Sequence, residues 1–162
     1  MVLGTELAAY AREAVVLHPE RGEPDSGHSS IGGPLLWPSD EPWPACSLPD
    51  EDNPVGVPAT AMVPVAQTFR RDAPGPWWPA GIDLSQILWC PNGHWDPPAQ
   101  QADASPVIEV RWRRAADVTR QLTPLPSPTH YDETGVVVGR WGDLRVFTCP
   151  TDHRHAIQVD LR

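Results

Sequence analysis

Apolar positions along this chain come in short bursts, and only the N-terminal stretch carries helical spacing. Leu7, Ala8, Ala11 and Ala14 share a face behind a capping Thr5, which predicts a helix from Thr5 to about Ala14. Val15, Val16 and Leu17 then predict an extended exit, and residues 19–30 are polar and aperiodic, a loop. Leu35, Leu36 and Trp37, enclosed by Pro34 and Pro38, read as a short buried strand. Residues 46–60 are acidic and rich in proline, with no core pattern, and read as a long surface loop. Residues 61–70 predict a strand bent at Pro64, and 72–81 (DAPGPWWPAG) a rigid aromatic loop. Asp83 to Gln86 reads as one helical turn, Ile87 to Cys90 as a short buried strand and 92–105 as a further loop. From Val107 to Arg113 the pattern alternates: Ile108, Val110 and Trp112 on the inward side, Val107, Glu109, Arg111 and Arg113 on the other. Residues 123–130 (TPLPSPTH) are linker-like and suit polyproline II. Val136 to Val138 and Leu144 to Thr148 predict a closing strand pair, with Gly142-Asp143 in the turn between them.

These elements predict a single domain, residues 1–162, with 46–60 and 123–130 as loop or linker segments. Its class is β-rich α+β: short, mostly antiparallel strands in one or two sheets, one N-terminal helix and long proline-rich loops. The expected core is Leu35, Leu36, Trp37, Val63, Val65, Ile87, Leu88, Ile108, Val110, Trp112, Val146 and Phe147. The length supports a real core, since a chain near this size buries about two thirds of its unfolded surface. The 21 prolines and 12 glycines argue against a helical bundle.

Charge narrows the function classes. The net charge is −9, and the twelve basic residues are all arginines. Such acidity disfavours nucleic acid and anionic membrane, both of which need a basic footprint. It suits a basic protein partner, because charge complementarity steers encounter. No apolar run approaches the roughly 20 residues of a membrane helix. Glu6 and the lack of an early basic cluster do not fit a signal peptide. With three cysteines, at least one stays unpaired within the chain, and reduced thiols in the cytoplasm are the expectation.

The strongest candidate chemistry is a repeated pattern. Cys90-Pro91-Asn92-Gly93-His94 and Cys149-Pro150-Thr151-Asp152-His153 both read Cys-Pro-x-x-His, each after an apolar β-like segment. Two such turns would supply Cys90, His94, Cys149 and His153 as a Cys2His2 set, which suits structural zinc. The competing readings are cysteines that serve as small buried hydrophobes at strand ends, and a Cys90–Cys149 disulfide. A Cys90–His94 nucleophile pair is a further reading, although the sequence shows neither an orienting group nor an oxyanion site for it. There is no Gly-x-Ser-x-Gly elbow and no phosphate-binding loop. Asp50 to Asn53 lacks the ligand alternation of an EF-hand. Arg111, Arg113 and Arg114 read as ordinary strand-face charges. Eight tryptophans make aromatic anchors a second theme. Trp37 and Trp43 could wall a cleft. Trp77 and Trp78, held between Pro76 and Pro79, could anchor a partner. Packing over the core is the alternative for all four.

Ser29-Ser30-Ile31-Gly32-Gly33-Pro34-Leu35-Leu36-Trp37-Pro38, followed by Pro42-Trp43-Pro44, resembles the opening of the YwqG-like family, bacterial domains of unknown function. Met62 to Gln67, Ile82 to Pro91 and Arg140 to Pro150 resemble its later blocks, so the likeness covers about half the chain. Longer members carry a second Gly-Gly-Trp segment that is missing here, so this chain resembles an abbreviated version. Some relatives lie near bacterial polymorphic toxin genes, and the resemblance therefore implies an immunity role. The expected function is a non-enzymatic protein-interaction protein that neutralises a toxin, a basic one by charge. The alternatives are a small zinc-stabilised module, and a hydrolase-type enzyme with its cleft between Trp37/Trp43 and the Cys-Pro-x-x-His turns.

Overall fold

The computed structural model describes residues 18, 20–48, 59–92, 94, 107–127, 144–147, 149, 152, 155 and 158–161, the last four and 144–146 by backbone only. Their regular elements are β1 (Ser30–Ile31), β2 (Ala45–Cys46), β3 (Thr60–Ala61), β4 (Val63–Phe69), β5 (Leu84–Trp89), β6 (Ile108–Arg113), a single 3-10 turn (Ala115–Asp117), β7 (Leu144–Phe147) and β8 (Gln158–Leu161). No α-helix occurs among the described residues, so the α+β class is corrected to all-β for this part of the chain. The helix expected from Thr5 to Ala14 lies outside the described residues.

The main sheet has four strands in the order β1-β4-β5-β6, every neighbouring pair antiparallel. β2 pairs with β3, and β7 with β8, in two separate antiparallel ladders. Pro64 acts as its chemistry dictates: the β4–β5 register shifts between Pro64 and Ala66, where a proline cannot donate to the ladder. The helical turn expected at Asp83–Gln86 is instead the start of β5. Asp83 is already drawn into the sheet, its carbonyl accepting from Arg70 N and its N–H donating to Arg113 O. The closing pair differs too, because Leu144–Phe147 pairs forward with Gln158–Leu161; residues 136–138 lie outside the described part. Phe147, expected in the core, is 52% exposed.

The two faces of the main sheet divide the core. On one, Val65, Trp89 and Ile108 are buried, with Val63, Ala66, Ile87 and Val110 packed around them. Trp112 belongs to this face as expected, half-buried, with Trp78 set edge-on at 5.5 Å. On the other face Leu88 joins Leu35, Trp37, Cys46, Met62 and Cys90 in the deepest cluster. Here the alternation of β6 misleads, because its polar side is also covered. Arg113 turns inward, its guanidinium 4.5 Å above the Trp37 ring, and forks onto both carboxylate oxygens of Glu41.

Leu35 and Trp37 are buried as expected and Leu36 is half-buried, but the segment is not a strand. The Leu36 backbone is satisfied by side chains. Leu36 N donates to Gln67 Oε1 at 2.7 Å, and Leu36 O accepts from Gln86 Nε2 at 3.0 Å. Gln67 and Gln86 are register partners on β4 and β5, 1% and 0% exposed, and bond to each other at 2.8 Å. Gln67 Nε2 also donates to Ser26 O and His28 O, and Gln86 Oε1 accepts from Arg113 Nε. Gly32, with φ at +66°, makes the turn that brings the segment back across the sheet, and its N–H bonds Val65 O. On its far side Leu122 N donates to Trp37 O, and Ser39 N to Arg120 O.

Gln86→Leu keeps the volume but strands Leu36 O and Arg113 Nε in the interior. It is expected to cost about 3 kcal/mol, since buried groups left without partners carry the full desolvation penalty. Urea unfolding reads this directly; a loss below about 1 kcal/mol would show that the glutamine pair does not hold the segment down.

Candidate metal centre

Three chemistry-bearing side chains meet where the β2–β3 ladder abuts the end of β5. Cys46 closes β2; Ala45 beside it is exposed, so the period-2 alternation of a strand sends Cys46 inward. The ladder is extended by Met62 N donating to Pro44 O and anchored by Trp43 Nε1 donating to Met62 O at 2.8 Å. Trp43 packs on Trp37, with ring centroids 4.9 Å apart. Cys90 follows β5 directly, and its N–H bonds Val107 O, continuing the β5–β6 pairing by one residue. Pro91 ends that pairing, and the chain turns to bring His94 back beneath Cys90.

The ligand atoms of Cys46, Cys90 and His94 all lie within 4.8 Å of one another. His94 Nε2 is 3.2 Å from Cys90 Sγ and 3.5 Å from Cys46 Sγ. All three residues are buried, at 7%, 2% and 4% exposure. The Cys46 thiol is lowered to about 6, chiefly by the hydrogen bond from Cys90. The Leu48 backbone N–H and the neighbouring His94 lower it further, against burial, which pushes it up. This lowering favours the Cys46 thiolate, the form that binds metal.

The donor set fits a metal. Tetrahedral zinc with Zn–S of about 2.3 Å and Zn–N of about 2.0 Å separates S from N by about 3.6 Å, close to the two contacts found here. In the metal-free protein the same contacts are hydrogen bonds. Two sulfurs and one imidazole suit zinc over calcium or magnesium, which take oxygen ligands.

Of the sequence-based zinc set, Cys90 and His94 come together. Cys149 is described but lies outside the three-residue cluster, and His153 is outside the described residues. None of the three cysteines is in a disulfide, so the Cys90–Cys149 pairing is not formed. Cys46 was missed because it stands in no spacing motif and opens the segment read as a loop. The available signal was its place after Trp43-Pro44, at the inward position of a short strand. Of the four tryptophans considered as anchors, Trp37 and Trp78 are buried, whereas Trp43 and Trp77 are half-buried. Trp78 Nε1 is occupied by Ala73 O. The Trp77 ring lies against Gly75 so closely that a Cβ there would fall 2.0 Å from it. Among the described residues no helix is long and apolar enough to cross a membrane.

Comparison of the chain with family models, with curated proteins and with solved structures gave no match in any of the three.

The shifted Cys46 thiol sets a pH dependence for the metal-free protein. Between about pH 6, its value in the fold, and about pH 8.5, that of an unfolded thiol, the unfolded chain carries the extra proton. Stability from this group is thus complete above about pH 8.5 and is lost as pH falls through about 6. In reducing, metal-free buffer, Tm should rise across that window, and Cys46→Ser should flatten the rise. Parallel profiles for the two proteins would refute the assignment.

Proposed function

We propose that this chain is a zinc-stabilised, non-enzymatic module that acts by binding another protein. The observation behind it is the buried Cys46–Cys90–His94 cluster. Two thiols and an imidazole converge at metal-ligand spacing, and each lies deep in the fold. Three donors leave one tetrahedral position to be filled by a further ligand, and the depth of the cluster favours a structural ion, because a catalytic metal or a Cys–His nucleophile must meet substrate. A bound ion would tie β2 to the end of β5, two pieces that belong to different sheets. That linkage is worth most in a chain whose strands are as short as β1, β2 and β3. The net charge of −9 favours a basic partner, as in toxin neutralisation.

The purified chain is expected to carry one zinc ion, and a strong chelator should lower its Tm by many degrees. Cys46→Ser should abolish the stoichiometric metal as fully as Cys90→Ser does. Affinity capture with the zinc-loaded protein should retain a basic partner that is released as salt rises. Metal-free protein with unchanged Tm in chelator would end the zinc reading, and salt-insensitive capture would end the basic-partner reading.

A further inference from the structure

A hydrogen bond that none of the donor residues makes joins the two halves of the centre. Asn92 stands midway in the turn between Cys90 and His94, and its Nδ2 donates to Thr60 Oγ1 at 3.2 Å. Thr60 is the register partner of Cys46 across the β2–β3 ladder. The bond therefore runs from the turn that carries two donors to the strand beside the third. Both residues are buried, Asn92 at 7% and Thr60 at 5% exposure. In such surroundings a polar contact is strong when made and costly when broken.

The backbone joins these two pieces indirectly, β3 running through Met62 into β4, whose Val63 pairs with Trp89 of β5. β2 and β3 pair with each other, whereas β5 pairs with β4 and β6. The Asn92–Thr60 bond is a polar side-chain contact outside the cluster that runs from one piece to the other. Asn92 Oδ1 is also buried and makes no hydrogen bond.

We propose that Asn92 and Thr60 are positioning residues for the metal centre, holding Cys46 at ligand distance from Cys90 and His94. This rests on the metal reading above. Residues of this kind, which orient ligands without touching the ion, characteristically change affinity by roughly 10–100-fold when removed.

The test uses the full chain with Co2+ as probe, read by its thiolate charge-transfer and tetrahedral ligand-field bands, with affinity from chelator competition. Asn92→Ala and Thr60→Val should each weaken Co2+ binding by roughly 10-fold or more and alter the ligand-field bands. The double variant should lose no more than the weaker single variant, since both remove one bond. Thr60→Ser, which keeps the hydroxyl, should bind as the natural protein does, and this variant separates positioning from general loss of packing. Natural protein that takes up no Co2+ in a thiolate site would overturn the metal reading, and this proposal with it. Natural protein that binds, alongside folded Asn92→Ala and Thr60→Val variants of equal affinity and unaltered bands, would overturn the positioning role alone. So would Thr60→Ser as weak as Thr60→Val.

Discussion

Gln67 and Gln86 face each other across β4 and β5 in an interior that leaves them almost no contact with water. Each amide must therefore find its partners inside the protein. Gln67 uses both donors and both acceptor positions, on Ser26 O, His28 O, Leu36 N and Gln86. Gln86 completes the set with Leu36 O and Arg113. The irregular segment 33–41 that follows β1 is thereby laid over the sheet without being a strand of it, and Trp37 is set down as the centre of the deep cluster. The Cys46–Cys90–His94 cluster depends on this arrangement by two routes. Gln86, Leu88 and Cys90 follow one another along the same side of the β5 line, so the contact that fixes Gln86 also aims Cys90. Trp37 carries Trp43, and Trp43 holds the β2–β3 ladder through Met62 O, which aims Cys46.

This dependence explains what could be read from the sequence. The strands at 63–69 and 108–113 were legible because their apolar positions alternate or cluster and Pro64 marks its own bulge. Leu35, Trp37, Leu88 and Ile108 were legible as core because nothing else accounts for such residues between prolines or inside a strand. The inward turn of Arg113 was not legible. Alternation assigns one face of a strand to the core, and here both faces of β6 are covered. Nor could sequence assign Gln67 and Gln86 their role, because a glutamine is interior only when a particular set of partners is waiting for it. The extended start of β5 at Leu84 was hidden for a similar reason: Asp83 gains its partners from Arg70 and Arg113, both distant in sequence.

The candidate centre divides in the same way. Cys90 and His94 are four residues apart on one turn, and local spacing reveals a pair of that kind. Cys46 arrives from another sheet, and its proximity is a tertiary fact carried by Trp43, Thr60 and the loop ends that β2 and β3 bring together. The segment read as a featureless loop over 46–60 is thus closed at its base, with Cys46 and Thr60 facing each other. An ion held by Cys46, Cys90 and His94 would add a direct link between β2 and the end of β5, which belong to different sheets.

The most direct test of this account is X-ray absorption at the zinc edge of the purified chain. The account predicts two sulfur neighbours at about 2.3 Å and an imidazole nitrogen at about 2.0 Å, and no stoichiometric zinc in Cys46→Ser. A first shell of oxygen and nitrogen alone, or a two-sulfur shell that survives Cys46→Ser, would contradict it.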